Sequence, residues 1–101
     1  MKKHKVITVC GSLKNIDEIK AQTEKLSLAG NCVLSIIYAT HDMSFYTEED
    51  IKLFKELHFQ RIAMSDAIFV VNVDGYIGKS TQNEIEYAKS LGKEILYLEE
   101  V

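Results

Sequence analysis

The chain has no proline, only two cysteines, no basic excess and no long apolar run. Each shortage removes a class of protein. Without proline there is no proline-rich linker, and no low-complexity segment or internal repeat divides the 101 residues, which are read as one domain over 1–101. Cys10 and Cys32 have neither metal-ligand spacing nor the density of a disulfide scaffold. A formal charge of -3 gives no electrostatic case for nucleic acid, whose phosphates are tracked by basic surfaces. No apolar stretch approaches the roughly 18 residues that span a bilayer, and no signal peptide is visible, so no membrane partner and a cytoplasmic location are expected. Lys2, Lys3, His4 and Lys5 read as a solvated basic tail.

What remains is ordered punctuation. Val6–Cys10 reads as a short buried strand. Asn15 is placed to cap a helix whose apolar face is Ile16, Ile19, Thr23 and Leu26, stopped by Gly30-Asn31. The run from Cys32 to Tyr38 reads as a second strand, and Ala39 to Tyr46 as an exposed loop. Thr47-Glu48-Glu49-Asp50 opens a second helix with Ile51, Phe54, His58, Ile62 and Ser65 on one face. Ala67 to Val73 is the clearest strand; a helix over Thr81–Leu91 and a strand over Glu94–Leu98 complete the order βαβαβαβ. Strands alternating with helices predict a three-layer α/β fold, a doubly wound parallel sheet of about four strands in order 2-1-3-4, Rossmann-like or flavodoxin-like. Ligands of such sheets bind beyond the carboxyl ends of the strands at the switch point, here between strands 1 and 3.

Two loops fall at that point: Cys10-Gly11-Ser12-Leu13-Lys14 and Asp74-Gly75-Tyr76-Ile77-Gly78-Lys79-Ser80-Thr81. Gly11 and Ser12 suit a phosphate or sugar hydroxyl, Lys14 can add charge, and Asp74 can orient a base or ribose hydroxyl. A strand-to-helix turn explains the same residues without a ligand. Glu84 carries two readings. With Thr81 it completes a capping box, reaching back to the helix's first N–H groups. At a ligand-binding helix start it can instead attack an electrophilic sugar carbon, with Gly78, Ser80 and Thr81 supplying anion contacts. His58 falls within an apolar helical stripe, where a buried hydrogen-bonded imidazole and a proton-transfer group are both open. An aromatic of the 39–46 loop, Phe45 or Tyr46, can stack on a nucleobase. Asp66 starts strand 3, at the opposite edge, and is given no chemistry. The three histidines form no metal set.

From Val6 to Leu98 the chain resembles the nucleoside 2-deoxyribosyltransferase superfamily, including the deoxynucleoside monophosphate N-glycosidases. The resemblance is carried by Val9-Cys10-Gly11-Ser12, by Ser65-Asp66, and by Glu84-Ile85-Glu86-Tyr87-Ala88 with Gly92-Lys93. It implies cleavage or exchange of the N-glycosidic bond of a nucleoside or nucleotide, through Glu84 as nucleophile and a glycosyl-enzyme. It implies a 5'-phosphate contact at Ser12 with Lys14 nearby, no cofactor, and a homo-oligomer in which a neighbouring subunit completes the pocket. The chain departs from the family pattern where His58 stands in the place of an aspartate and Thr8 in that of a tyrosine. Proton donation by His58 is the substitution this suggests. The alternative is a non-catalytic nucleotide-binding or signalling module of the same fold.

Overall fold

The computed structural model describes residues 3–101. Its four strands are β1 (Val6–Gly11), β2 (Cys32–Leu34), β3 (Ala67–Val71) and β4 (Glu94–Tyr97); its helices are α1 (Ile16–Leu28), α2 (Glu48–Met64) and α3 (Lys79–Ser90). All pairings are parallel, in the order β2-β1-β3-β4 expected for a doubly wound sheet. Among the described residues no helix is long and apolar enough to cross a membrane.

The central pair sets the architecture. β1 and β3 run in register from Ile7 against Ala67 to Gly11 against Val71. Alternate side chains go to opposite faces. Val9 and Val71 meet Ile19 of α1 on one face, while Cys10, Ile68 and Val70 meet Ile62 of α2 and Ile85 and Ala88 of α3 on the other. Asp66 acts at the amino edge, where its carboxylate and its N–H both bond the backbone of Val6 at 2.8 Å and lock the strand starts together. At the far edge the buried Asn72 amide clamps the chain after β4, donating to the Glu99 carbonyl and accepting from the Glu99 N–H.

Helix ends follow the sequence signals with two exceptions. Thr47 and Asp50 form the capping box of α2, each bond 3.0 Å. α1 and α3 both end in a Schellman motif, with Gly30 (φ 95°) and Gly92 (φ 71°) in the left-handed region and the paired bonds Asn31 N–H to Leu26 C=O and Lys93 N–H to Ala88 C=O. Asn15, expected to cap α1, makes no capping bond, because a 3₁₀ turn over Leu13–Asn15, capped by Ser12, precedes the helix and turns its amide inward. α3 starts at Lys79 rather than Thr81, with Gly78 in the capping position.

Two further expectations need correction. β2 ends at Leu34, not Tyr38: its ladder with β1 stops at Thr8–Leu34, and Ile36 and Ile37 leave the sheet for the wall of a cleft. The basic start is less of a free tail than its charge suggested. Lys2 lies outside the described residues, but His4 Nδ1 is 2.7 Å from the Gly30 carbonyl, the Lys5 carbonyl accepts from Cys32 N–H, and the Lys5 ammonium pairs with Glu94.

Candidate active site

A cleft of about 460 Å³ opens beyond the carboxyl ends of β1 and β3, within the range of small-molecule sites, roughly 300–1,000 Å³. The β1–α1 turn contributes Gly11 and Ser12, the start of α3 contributes Gly78, Ser80 and Thr81, and His58 and Glu84 come from the facing helices. Three of the residues singled out from sequence are not brought to the wall. Cys10 is fully buried beneath it. Asp74 sits at φ 55° in a 3₁₀ turn whose N–H is bonded by the Glu99 carboxylate, 2.8 Å away and outside the cleft. Lys14 lies with its ammonium 3.4 Å from the centre of the Tyr76 ring, a cation–π contact joining the two loops.

The helix start removes the capping-box reading of Glu84. Because α3 begins at Lys79, Thr81 lies inside the first turn and is buried, while Glu84 stands in the second turn, beyond the reach of a capping box. The first backbone bond of the helix runs from Gln82 N–H to Gly78 C=O. The N–H groups of Lys79, Ser80 and Thr81 therefore have no intrahelical acceptor and present the positive end of the helix dipole at the cleft. Thr81 lines the cleft, and among the described residues its hydroxyl has no hydrogen-bond partner.

Both glycines line the cleft and are also tightly packed. A Cβ at Gly11 would lie 3.2–3.3 Å from Val71 and Ile19, so core packing also calls for a glycine there. A Cβ at Gly78 would lie 3.2 Å from the Tyr76 hydroxyl, so Gly78 makes room for the Tyr76 ring at the cleft wall.

Under the floor lies a buried polar cluster. Cys10 Sγ is 3.5 Å from His58 Nε2, and His58 Nε2 is 3.6 Å from Glu84 Oε1. Arg61 Nη1 is 3.4 Å from His58 Nδ1. Burial, with the Arg61 charge beside it, pushes His58 down to about 4. Burial pushes Glu84 up to about 7, against a smaller lowering by the neighbouring Cys10 thiol. Burial also drives the Cys10 thiol upward. The His58–Glu84 contact is therefore no ion pair at neutral pH: the imidazole is uncharged, and 3.6 Å is too long for a hydrogen bond.

Ligand atoms of Cys10, His58 and Glu84 all lie within 4.8 Å of one another, close enough for a metal ion to span. The hydrogen-bond directions do not fit one. A guanidinium only donates, so the Arg61 contact requires a lone pair at Nδ1 and leaves the proton of the neutral ring on Nε2, the atom that would have to ligate.

Sequence reasoning missed four contributors to the cleft. Lys55, His58 and Arg61 follow at three-residue spacing along one flank of α2, a periodicity that would have drawn both cations in with His58. Lys79 and Tyr76 lay inside the glycine-bounded loop but were given no part. Of the aromatics near the 39–46 loop, Phe45 is already stacked on His41 at 4.0 Å, and Tyr46 passes the chain of ring contacts to Phe54, which lines the cleft. Comparison with protein-family models and with curated proteins finds no match for this chain.

Proposed function

We propose that the cleft binds a nucleoside or nucleotide and that Glu84 attacks its N-glycosidic carbon, releasing the base by hydrolysis or exchange. The observation that carries this reading is the Glu84 carboxyl itself. It lines a cleft bordered by the Gly11-Ser12 turn and by the unpaired N–H groups of α3, and no capping role accounts for it. Lys55, Arg61 and Lys79 make the walls cationic, which suits a phosphorylated sugar. In the attack, the carboxylate would bond to C1' as the bond to the base breaks, and water or a second base would then displace Glu84 from the glycosyl ester. With Glu84 raised to about 7, only about half of it is ionised at neutrality, so base release should climb as pH passes through that value.

His58 does not serve this scheme as an imidazolium, since a group lowered to about 4 carries no spare proton at pH 7, and its Nε2 is turned to the buried Cys10 sulfur. A second reading has its own support: among the described residues lining the cleft, Glu84 is the sole carboxyl group, so no separate acid stands ready to protonate a leaving base. This favours a nucleotide-binding module that keeps the cradle without the reaction. Incubation with purine and pyrimidine deoxynucleosides and their 5'-monophosphates, followed for free base, separates the two. Release abolished by Glu84→Gln is expected. A ligand-dependent rise in Tm with no free base from any of them would overturn the catalytic reading in favour of binding.

A further inference from the structure

Of the three cations on the cleft wall, Lys55 and Lys79 are exposed, whereas Arg61 is half-buried. Among the described residues no carboxylate lies within salt-bridge distance of Arg61. One N–H of its guanidinium is turned to His58 Nδ1 at 3.4 Å, which leaves the other donors of the fork free. A partly desolvated charge without a counter-charge costs stability, and a cleft that keeps one is arranged for a group the chain does not itself supply. Polarity divides the cleft around it. The β1–α1 turn and the start of α3 bring Ser12, Lys79, Ser80 and Thr81, suited to a sugar and its phosphate. The opposite side, α2 with the 36–43 stretch, is apolar through Ile36, Ile37, Met43, Ile51 and Phe54, suited to a flat base. On that side, among the described residues, no side-chain oxygen lines the wall. Lys55 and Arg61 only donate, the His58 Nδ1 lone pair faces Arg61, and Nε2 faces Cys10. Glu84 Oε1 and Arg61 Nη1 stand at the two nitrogens of one imidazole, 3.6 and 3.4 Å from it. A base joined to a sugar at Glu84 spans that ring and meets the guanidinium with its far edge.

We infer that Arg61 makes the cleft selective for oxo-bases, those such as uracil, thymine and hypoxanthine that present carbonyl oxygens, and that it holds the charge of the base as it leaves. The base preference needs only a nucleotide in the cleft; the leaving-group role rests on the reading of Glu84 as nucleophile. A carbonyl oxygen accepts from the guanidinium, whereas the amino group of adenine or cytosine sets donor against donor beside a fixed positive charge. The same contact grows in the reaction. As Glu84 bonds to C1', the electron pair of the breaking C1'–N bond stays on the ring nitrogen and spreads to the carbonyl oxygens, where the cation meets it. The base departs as an anion, so no separate acid is needed at the cleft. Water then opens the glycosyl ester, giving its hydroxyl to C1' and its proton, through solvent, to the departed base, and Glu84 returns as a carboxylate.

The test is calorimetric binding of matched pairs to the intact chain carrying Glu84→Gln, which blocks turnover: deoxyuridine against deoxycytidine 5'-monophosphate, and deoxyinosine against deoxyadenosine 5'-monophosphate. Within each pair the oxo member should bind roughly 10–100-fold more tightly, the worth of a hydrogen bond to a charged group. Equal affinities, or tighter binding of the amino member, would overturn the inference, and so would binding of none of the four. Adding Arg61→Met should erase the preference, and a preference that survives it in a chain folded by circular dichroism would remove Arg61 from the account. Where Arg61→Met does not fold, Arg61→Lys takes its place: it keeps the charge but loses the planar fork, so the preference should shrink, and an unchanged one overturns the assignment equally. In the parent chain, free base should appear faster from the oxo member of each pair. No free base from any of them, with the binding preference intact, would sink the glycosidic reading and the leaving-group role while upholding the selection of the base.

Discussion

Replacing Glu84 by glutamine keeps the shape of the side chain and removes its titration, and the consequence for stability depends steeply on pH. A carboxyl raised from 4.5 to about 7 holds its proton more tightly in the folded chain than in the unfolded one. Its contribution is therefore complete below about 4.5 and is lost as pH rises through about 7, a loss of roughly 3 kcal/mol at 1.36 kcal/mol per unit. The side chain is 17 % exposed, so solvent screening brings the expectation down to about 2 kcal/mol. His58 runs the other way. Lowered from 6.5 to about 4, it costs stability in acid, and that cost is relieved as pH rises from about 4 to 6.5. Over most of that interval the two opposing slopes nearly cancel in the parent chain. Glu84→Gln removes one of them and should unmask the other. Urea unfolding at intervals from pH 4 to pH 8 measures this directly, with the stability of the variant relative to the parent growing by about 2 kcal/mol across the range. A difference that stays constant with pH would refute the buried-carboxyl reasoning. A variant that loses ground above pH 7 would restore the capping reading, in which the ionised glutamate favours the helix start.

Two further substitutions probe the frame that holds the cleft. Gly11→Ala drives a Cβ to 3.2–3.3 Å from Val71 and Ile19 and should cost about 1–3 kcal/mol, read as a lowered midpoint of chemical unfolding. Asn72→Ala removes both bonds to the Glu99 backbone and should cost about 1–3 kcal/mol, with faster amide exchange at Glu99 and in the Asp74 turn that the Glu99 carboxylate holds.

Much of this organisation was legible from residue order. The β1 and β3 runs are apolar because both faces of a central parallel strand are covered, and the α2 stripe of His58, Ile62 and Ser65 is buried as its spacing required. What the sequence hid were ends and directions. Ile36, Ile37 and Tyr38 look like strand because they are apolar, but an edge strand needs a ladder partner, and β1 offers β2 none beyond Thr8. The capping box at Thr81 was a local pattern overruled by the longer helix: with Gly78 as the cap, the same four residues moved inside by three positions, and Glu84 turned from a helix end toward the cleft. Which side of a strand faces the cleft is equally silent in sequence. Cys10 and Gly11 are neighbours, yet one lies under the cleft floor and the other at its wall.

The cleft is built from unequal materials. Its floor rests on β1, β3 and the first turns of α3, the most interlocked part of the domain, whereas one flank is the stretch from Ile36 to Met43, which departs from the ladder after three paired residues. Substitutions at the exposed Ile37 and Met43 of that flank would change the outline of the cleft without touching the ladder, while the Glu84 carboxyl is held by α3. Variation in the shape of the cleft is thus expected to accumulate on this rim, and the part built on β1, β3 and α3 to stay constant.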